Sequence, residues 1–167
     1  MRLLLSIILI VSPIWPLGKN PLPGDPFLIV NKQTNKIAYI QGEEIRHQYS
    51  VATGRTDDLT PQGLFTIIVK AKDPYYRKSD IPGGSPDNPL GTRWMGFDAE
   101  GTDGRTYGIH GTNNDDSIGK YISNGCIRMH NAEVETLFDR VPSGTKILIV
   151  KTGKSFEELA KEYGAVR

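Results

Sequence analysis

Residues 123–131 read SNGCIRMHN and contain the only cysteine of the chain, Cys126. A single cysteine is usually a small apolar residue packed in a core, so its neighbours must show whether it does chemistry. A cysteine nucleophile needs a base, amide donors that stabilise an oxyanion, and a group that holds the substrate. The residues on either side of Cys126 are candidates for each of these roles.

A histidine that precedes Cys126 by one predicted loop is the candidate base. His110 ends a predicted strand, and Gly111 follows it without a side chain that would shield its carbonyl. An imidazole acts as a base through one ring nitrogen when a hydrogen-bond partner holds the other. We therefore predict His110 as the general base and acid, with the Gly111 carbonyl as its partner. Taken alone, such a histidine is more often a hydrogen-bonded structural residue.

The immediate neighbours of Cys126 supply the remaining groups. In the run Asn124-Gly125-Cys126, glycine can adopt backbone conformations closed to other residues and turn successive amide hydrogens toward one point, which predicts an oxyanion hole at Gly125. Arg128 lies two positions after Cys126, and alternate residues of an extended segment share a face. We expect its guanidinium to lower the thiol pKa and to clamp a substrate carboxylate. For Arg128 alone, the alternative is a surface ion pair.

The other histidines and short motifs are weaker candidates. His47 lies on the apolar face of a predicted strand and is interpreted as structural, whereas His130 begins a predicted helix and is a competing base. The segments SIGK at 117–120 and KTG at 151–153 match penicillin-binding signatures, but that chemistry needs a larger domain with more helix. The three histidines and the cysteine never approach zinc-ligand spacing, so we expect no metal site.

The composition favours a mainly β domain. The 167 residues suffice for one domain, and 18 glycines with 11 prolines favour turns over long helices. Lys and Arg number 20 and Asp and Glu number 19, so no net charge attracts nucleic acid or an acidic membrane. We therefore expect a single-domain, mainly β fold, a sandwich or barrel-like core with one or two helices, and no nucleic-acid partner.

Alternating and apolar runs predict the elements that position these residues. Strands are predicted at 27–31, 36–41, 44–52, 63–72, 92–97, 105–111, 126–129 and 145–150, and helices at 131–141 and 155–164. The second helix begins with a capping box, Ser155 with Glu158. Residues 73–91 form a loop that is long for a compact domain, and Tyr75 and Tyr76 within it favour a cleft wall or a lid.

The chain begins with a segment typical of export. Arg2 precedes the uncharged run LLLSIILIVSPIW, whose length suits a signal-peptide core and is short for a bilayer span. No clean pair of small residues marks a cleavage site, so an uncleaved membrane anchor is the alternative. We predict a signal peptide or anchor at 1–18, a linker at 19–26, an exported catalytic domain at 27–151 in the cell wall or periplasmic space, and a helical tail at 152–167.

The residues around Cys126 also resemble a known family. The pattern HGT followed by SIGKYISNGCIRMHN closely resembles the signature of the L,D-transpeptidase catalytic domain, the YkuD family. Residues 52–67, ATGRTDDLTPQGLFTI, are similar to its T-P-x-G-x-F segment, and residues 88–95, NPLGTRWM, resemble its cleft-lining segment. The resemblance covers about residues 27–150. It implies a β-rich catalytic fold and a cysteine enzyme of the peptidoglycan wall that uses no cofactor.

The resemblance also implies a role for each matching residue. Cys126 would be the nucleophile and His110 the base, with the orienting carbonyl supplied by Gly111. The position two before the cysteine is often His in this family, and here it is Asn124. The substrate-binding residues expected on this basis are Ser123, Asn124, Arg128, Trp94 and Tyr107.

The function that the resemblance implies is a peptidoglycan L,D-transpeptidase. Such an enzyme forms 3→3 cross-links between stem peptides through a cysteine thioester and releases D-alanine. The alternatives are an L,D-carboxypeptidase that uses water as the acceptor and a wall-binding domain without catalysis. A cysteine peptidase of another fold would need Cys before His in the chain, and a sortase-like enzyme would carry its Cys and Arg on separate strands.

Overall fold

The computed structural model describes residues 20–167, so the predicted signal peptide or anchor at 1–18 lies outside the described residues. The described part of the chain contains ten strands and two α-helices. The strands are β1 (Phe27–Asn31), β2 (Lys36–Gln41), β3 (Glu44–Ser50), β4 (Thr53–Gly54), β5 (Gly63–Lys72), β6 (Arg93–Phe97), β7 (Tyr107–His110), β8 (Tyr121–Ser123), β9 (Ile127–Arg128) and β10 (Lys146–Val150), and the helices are α1 (Asn131–Arg140) and α2 (Phe156–Glu162). Strands β1, β2 and β5 have the predicted bounds, β3, β7 and β9 are shorter than predicted, and β4 and β8 are additional to the prediction.

Eight of the strands form one curled sheet in the order β3-β2-β1-β10-β5-β6-β7-β9, and β4 pairs with β8 beside it. Most neighbours in the sheet are antiparallel, but β1 pairs with β10 and β7 pairs with β9 in parallel. A parallel pair joins segments that are far apart in sequence. The result is a half-barrel with two helices, which confirms the mainly β, barrel-like prediction.

One face of this sheet packs around α1. Successive side chains of a strand point to opposite faces, and on β1 the side chains of Leu28 and Val30 belong to the main core. Helix α1 adds Leu137 and Phe138 to the same core. The apolar residues whose spacing predicts a helix at 131–141 therefore form the face that α1 buries.

The opposite face of β1, β2 and β10 is covered by α2. Phe27 and Ile29 of β1 pack with Leu159 of α2 in a second, smaller core. The helix begins at the predicted capping box, which the structure confirms: Ser155 Oγ accepts the amide hydrogen of Glu158, and the Glu158 carboxylate accepts that of Ser155. No helix in the described part of the chain is long and apolar enough to cross a membrane.

At the other end of this second face, over β6, β7 and β9, the loop at 73–91 takes the place of a helix. Asn88, which is 1% exposed, holds the loop together because its side-chain amide donates to the carbonyls of Pro74 (2.8 Å) and Pro82 (3.2 Å). Its carbonyl group accepts the amide hydrogen of Leu90 at 2.9 Å. The loop is thus ordered by its own polar contacts, and it stands off the sheet rather than packing flat on it.

Strand β5 changes its register with β6 partway along its length, so that its two halves present alternate residues to different faces of the sheet. The pairing with β6 shifts between Ile67 and Val69. Ile67 belongs to the main core, whereas beyond the shift Val69 and Ala71 line the cleft under the loop. Such a bulge reverses which alternate residues face which side of the sheet.

Candidate active site

A cleft of about 500 Å³ lies between the loop at 73–91 and the sheet, and Cys126 lines it. Tyr75 and Tyr76 line the loop side of the cleft, and Trp94 lines the sheet side. The prediction that this loop forms a cleft wall is therefore confirmed. Trp94 thus lines the cleft, and its expected contact with substrate stays a prediction.

The pairing of β6, β7 and β9 puts the predicted site residues on the cleft face of the sheet. His110 is the direct partner of Trp94 on one side and of Arg128 on the other, so the three side chains share a face. Ile109, the residue before His110, belongs to the main core on the opposite face. Cys126, two positions before Arg128, shares the cleft face by the period of a strand.

The imidazole of His110 is held in one orientation. Its Nδ1 lies 2.6 Å from the carbonyl oxygen of Gly111, and its ring stacks on that of Trp94 at 5.6 Å between centroids. Because a carbonyl can only accept, Nδ1 carries the hydrogen, and Nε2 is left as the acceptor. The contact predicted between His110 and Gly111 is present, and it prepares the ring to take up a proton through Nε2.

Burial keeps His110 neutral. The side chain is 5% exposed, and burial lowers its pKa to about 4. The carbonyls of Gly111 and Leu90 oppose this lowering, and the charge of Arg128 reinforces it. At neutral pH the imidazole is therefore a free base.

Asn131, the first residue of α1, fixes the backbone that carries the Gly111 carbonyl. Its Oδ1 accepts the amide hydrogens of Thr112 (3.1 Å) and Thr92 (3.3 Å), and its Nδ2 donates to the Thr112 carbonyl (3.0 Å). A Cβ on Gly111 would lie 2.0 Å from Asn131 Oδ1, so only glycine fits at this position. The sequence prediction assigned no role to Asn131. The available signal was an Asn at a helix start, where its side chain can bind nearby loop amides.

The cysteine turn, residues 123–126, is closed by Ser123. The Ser123 hydroxyl donates to the carbonyl of Cys126 at 2.6 Å and accepts the amide hydrogen of Gly125 at 3.1 Å. Gly125 has a φ of 129°, so the backbone conformation is the one that the prediction required of glycine. Its amide is, however, occupied by Ser123, which corrects the prediction that Gly125 supplies an oxyanion donor. Within residues 20–167 the amide hydrogens of Asn124 and Cys126 have no partner, and that of Cys126 is the one on the candidate nucleophile itself.

The prediction for Ser123 also changes. Its side chain is 1% exposed and its hydroxyl is used inside the turn, so it is a structural residue of the site and does not face substrate. Asn124, by contrast, is exposed beside it, and its expected substrate contact stays a prediction.

The thiol of Cys126 is half-buried at the cleft floor and donates to the Thr106 carbonyl at 3.5 Å. Burial raises the pKa of the thiol, while the Gly108 backbone and the charges of Arg128 and Lys78 lower it. The predicted influence of Arg128, a lowering of the thiol pKa, is therefore confirmed, but desolvation outweighs it and the net pKa is raised. At neutral pH the resting site therefore holds a neutral thiol and a neutral imidazole rather than a charged pair.

The guanidinium of Arg128 is half-buried, and within residues 20–167 it has no hydrogen bond to a carboxylate or carbonyl. The alternative of a surface ion pair is thus not realised in the described chain. A cation that lies on the cleft face near a nucleophile can bind an anionic group of a substrate.

Tyr107 does not line the cleft, which corrects its expected role in substrate binding. Because it pairs with Phe97, its ring lies on the core side of the sheet, and the two rings stack at 6.2 Å. Its hydroxyl donates to Glu100 at 2.7 Å, and its ring lies 3.3 Å from the position of a Cβ on Gly125. Tyr107 therefore supports the cysteine turn from behind.

The two remaining histidines lie outside the site. The ring of His47 stacks between those of Tyr39 and Tyr49, in agreement with its structural interpretation. His130 Nδ1 lies 2.9 Å from the Asp115 carboxylate, and His130 is not among the residues that line the cleft with Cys126. Among residues 20–167 no three His, Cys, Asp or Glu side chains are grouped to hold a metal ion.

Comparison with known proteins agrees with this fold and site. A family model described as the YkuD L,D-transpeptidase catalytic domain matches residues 25–149. The Bacillus subtilis protein named "Putative L,D-transpeptidase YqjB" is 63% identical over 163 residues, 98% of this chain and 93% of that protein. The Bacillus licheniformis protein named "Putative L,D-transpeptidase YkuD" is 41% identical over 138 residues, 83% of this chain and 73% of that protein.

Solved structures show the same architecture. The NMR structure of the catalytic domain from the E. faecium L,D-transpeptidase acylated by ertapenem has a TM-score of 0.56 at 22% identity, covering 75% of this chain and 97% of that one. The curled sheet and its cleft thus have the fold of an L,D-transpeptidase catalytic domain. The chain belongs to the L,D-transpeptidase family that the YkuD model describes.

Proposed function

We propose that this protein is a peptidoglycan L,D-transpeptidase that forms 3→3 cross-links between stem peptides through a thioester on Cys126. The observation that carries the proposal is the bond between His110 Nδ1 and the Gly111 carbonyl (2.6 Å), on the face of the cleft that Cys126 lines. This bond leaves Nε2 free to accept a proton, as a cysteine acyl-transfer reaction requires.

In the first half-reaction, His110 Nε2 takes the thiol proton of Cys126 as the sulfur attacks the carbonyl carbon of the third residue in a donor tetrapeptide. The tetrahedral oxyanion is stabilised by the amide hydrogen of Cys126. The imidazolium then returns the proton to the nitrogen of the terminal D-alanine as the C–N bond breaks. D-alanine leaves with its amine restored, and a thioester joins Cys126 to the donor peptide.

In the second half-reaction, the side-chain amine of the diamino acid in another stem attacks the thioester. His110 accepts the proton that this nitrogen loses, and the same amide stabilises the second oxyanion. The C–S bond breaks, the sulfur regains its proton from His110, and a new amide links the two stems. Water in place of the amine would give a tripeptide, which is the carboxypeptidase alternative.

The charge of the cleft suits an anionic donor peptide. Arg128 lies on the cleft face, and the cations Arg77 and Lys78 line the loop side. Stem peptides carry free carboxylates, which such cations attract. We expect Arg128 to make the strongest of these contacts with the substrate, because Arg128 is half-buried whereas Arg77 and Lys78 are exposed.

The proposal is tested by mass spectrometry of the purified protein with a disaccharide-tetrapeptide, with the variant Cys126→Ala as control. Dimers that lack one D-alanine, formed only by the wild type, are the expected product. Monomeric tripeptide alone would replace the transpeptidase with the carboxypeptidase. Unchanged tetrapeptide with both proteins would contradict a tetrapeptide donor and favour the wall-binding domain.

A second test uses a covalent probe in place of the wall substrate. Ertapenem acylates the E. faecium catalytic domain named above, and we expect it to acylate Cys126 by the same chemistry. Ring opening adds the whole drug, so the wild-type mass should rise by one ertapenem and that of Cys126→Ala should not change. Labelling of the variant would contradict Cys126 as the nucleophile.

We further propose that the protein acts outside the cytoplasm. The support is the apolar run after Arg2 together with a proposed substrate that belongs to the cell wall. Fractionation of cells that express the full chain would test this, and recovery of the protein only from the cytoplasm would contradict it.

A further inference from the structure

Lys32, the residue after β1, is a buried cation that the catalytic steps above do not use. It is 3% exposed, and its ammonium group donates to the carbonyls of Thr60 (2.8 Å) and Asp57 (2.5 Å) and pairs with the Asp57 carboxylate at 3.3 Å. Burial of an ammonium group is unfavourable unless it is paired and hydrogen-bonded. The three contacts therefore tie residues 57–60 into one turn around Lys32.

This turn rests against the back of the cysteine turn. Thr60 is fully buried; its hydroxyl donates to the carbonyl of Gly125 at 3.0 Å and accepts the amide hydrogen of Gly54 at 2.9 Å. The carbonyl of Leu59 lies 2.5 Å from the position that a Cβ on Gly125 would take. The turn at 57–60 and the residue before Cys126 thus fit against each other without room for a side chain.

The bond from Thr60 sets the direction of one particular amide. The Gly125 carbonyl and the Cys126 N–H belong to the same planar peptide group, in which the two point in opposite directions when the bond is trans. A donor that fixes the carbonyl therefore also fixes the N–H. The Gly125 amide and the Cys126 carbonyl are already bound to Ser123, whereas the Cys126 N–H has no partner within residues 20–167 and stays available.

We propose that Thr60 and Lys32 are positioning residues for the reaction: Lys32 holds the turn at 57–60, and Thr60 aims the Cys126 amide at the oxyanion. The inference rests on the proposed role of Cys126 as an acylated nucleophile. The T-P-x-G segment that begins at Thr60 would then serve to position the Cys126 amide. Lys32, the residue after β1, would support the site from behind.

Two reactions of the same thiol test the proposal without a wall substrate. Acylation of Cys126 by p-nitrophenyl acetate passes through a tetrahedral oxyanion and releases p-nitrophenolate, whereas alkylation by iodoacetamide displaces iodide and forms no oxyanion. Removal of a direct oxyanion donor costs about 100- to 1,000-fold. For Thr60→Val, which misaligns the donor without removing it, we expect acylation to slow by about tenfold and alkylation to change by less than about twofold. Thr60→Ser, which keeps the hydroxyl, should restore acylation.

Lys32 has a matched control in Lys151. Both ammonium groups contact Asp57, at 3.3 Å and 3.4 Å, but Lys151 is 47% exposed and lies outside the buried contacts. Lys32→Met should lower the ratio of acylation to alkylation in the same direction as Thr60→Val, and Lys151→Met should leave the ratio unchanged. If Lys32→Met does not fold, the Thr60 pair decides.

An unchanged ratio in Thr60→Val, or an equal fall of both rates, would overturn the positioning role. Failure of the proposed function would look different, because the wild type would then react with iodoacetamide and the ester yet transfer no stem peptide.

Discussion

The two ends of one sheet face are built from similar strands and serve different purposes. Over β1, β2 and β10 this face is closed by α2, which packs Leu159 against Phe27 and Ile29. Over β6, β7 and β9 the same face is left to the loop at 73–91, and the space between them is a cleft. The sheet alone does not determine where the site lies; the element that covers it does.

The two ends also differ in the polar residues that they tolerate. The closed end is apolar, as burial without partners requires. The open end carries His110 and Arg128 on the same face, and the buried imidazole is satisfied by a carbonyl of its own chain. Burial at the open end thus lowers the pKa of His110 and raises that of the Cys126 thiol, so both groups are neutral at neutral pH.

The largest effect should come from removing the nucleophile at the open end. Cys126→Ala is expected to reduce cross-link formation by more than about 1,000-fold, since no other thiol is present in the chain. The thermal unfolding midpoint should change little, because the side chain is small and half-buried. Product analysis by liquid chromatography and circular dichroism measure the two effects. Residual activity near that of the wild type would place the nucleophile elsewhere.

The buried His110 should make stability depend on pH. Its pKa is about 4 in the folded state and about 6.5 when unfolded, so between these values the unfolded chain binds more protons. The free energy of unfolding should therefore fall as the pH is lowered, by roughly 3 kcal/mol from pH 7 to below pH 4. Urea titrations of the wild type and His110→Gln measure this, and the difference in pH dependence isolates the histidine. Parallel curves for the two proteins would contradict a buried neutral imidazole.

A core substitution at the closed end should lower stability and leave the reaction rate unchanged. Leu159→Ala deletes a side chain that is 3% exposed in the smaller core, and such deletions cost about 2–3 kcal/mol of unfolding free energy. Because α2 does not reach the cleft, kcat per folded molecule should be unchanged at a temperature where the variant stays folded. Urea unfolding and steady-state kinetics provide the two readouts. A fall in kcat without loss of stability would show that the closed end also serves the reaction.

Local sequence patterns predicted the features of the fold and the site that depend on residues close together in the chain. Alternation and apolar runs identified β1, β2 and β5 at their observed bounds because the period of a strand is visible in a few residues. The contact between His110 and Gly111 was predictable for the same reason, since the two residues are adjacent. That Cys126 and Arg128 share one face of the sheet followed from their separation of two residues.

What the sequence left unpredicted depends on long-range packing. The support that Asn131 gives to Thr112 and that Thr60 gives to Gly125 exists only once strands from different parts of the chain are paired. The net pKa of the thiol was out of reach for a related reason: the charge of Arg128 can be read from the sequence, but the burial that outweighs it cannot. Tyr107 was expected to bind substrate, but its pairing with Phe97 turns its ring to the core side of the sheet.

The smallest effect expected at the open end is that of Arg128→Lys. The charge is kept, so the pKa values of His110 and the thiol should stay close to those of the wild type, but a planar fork of donors is replaced by a single ammonium. If Arg128 binds a carboxylate of the donor peptide, KM should rise about fivefold while kcat falls less, since a lost fork contact is worth about 1 kcal/mol. Initial rates over a range of donor concentrations separate KM from kcat. Alkylation by iodoacetamide serves as the control and should be unchanged, because it uses the thiol without a carboxylate. A fall in kcat at constant KM would instead mean that Arg128 acts on the reacting atoms, which would extend the open end's chemistry from His110 and Cys126 to the arginine.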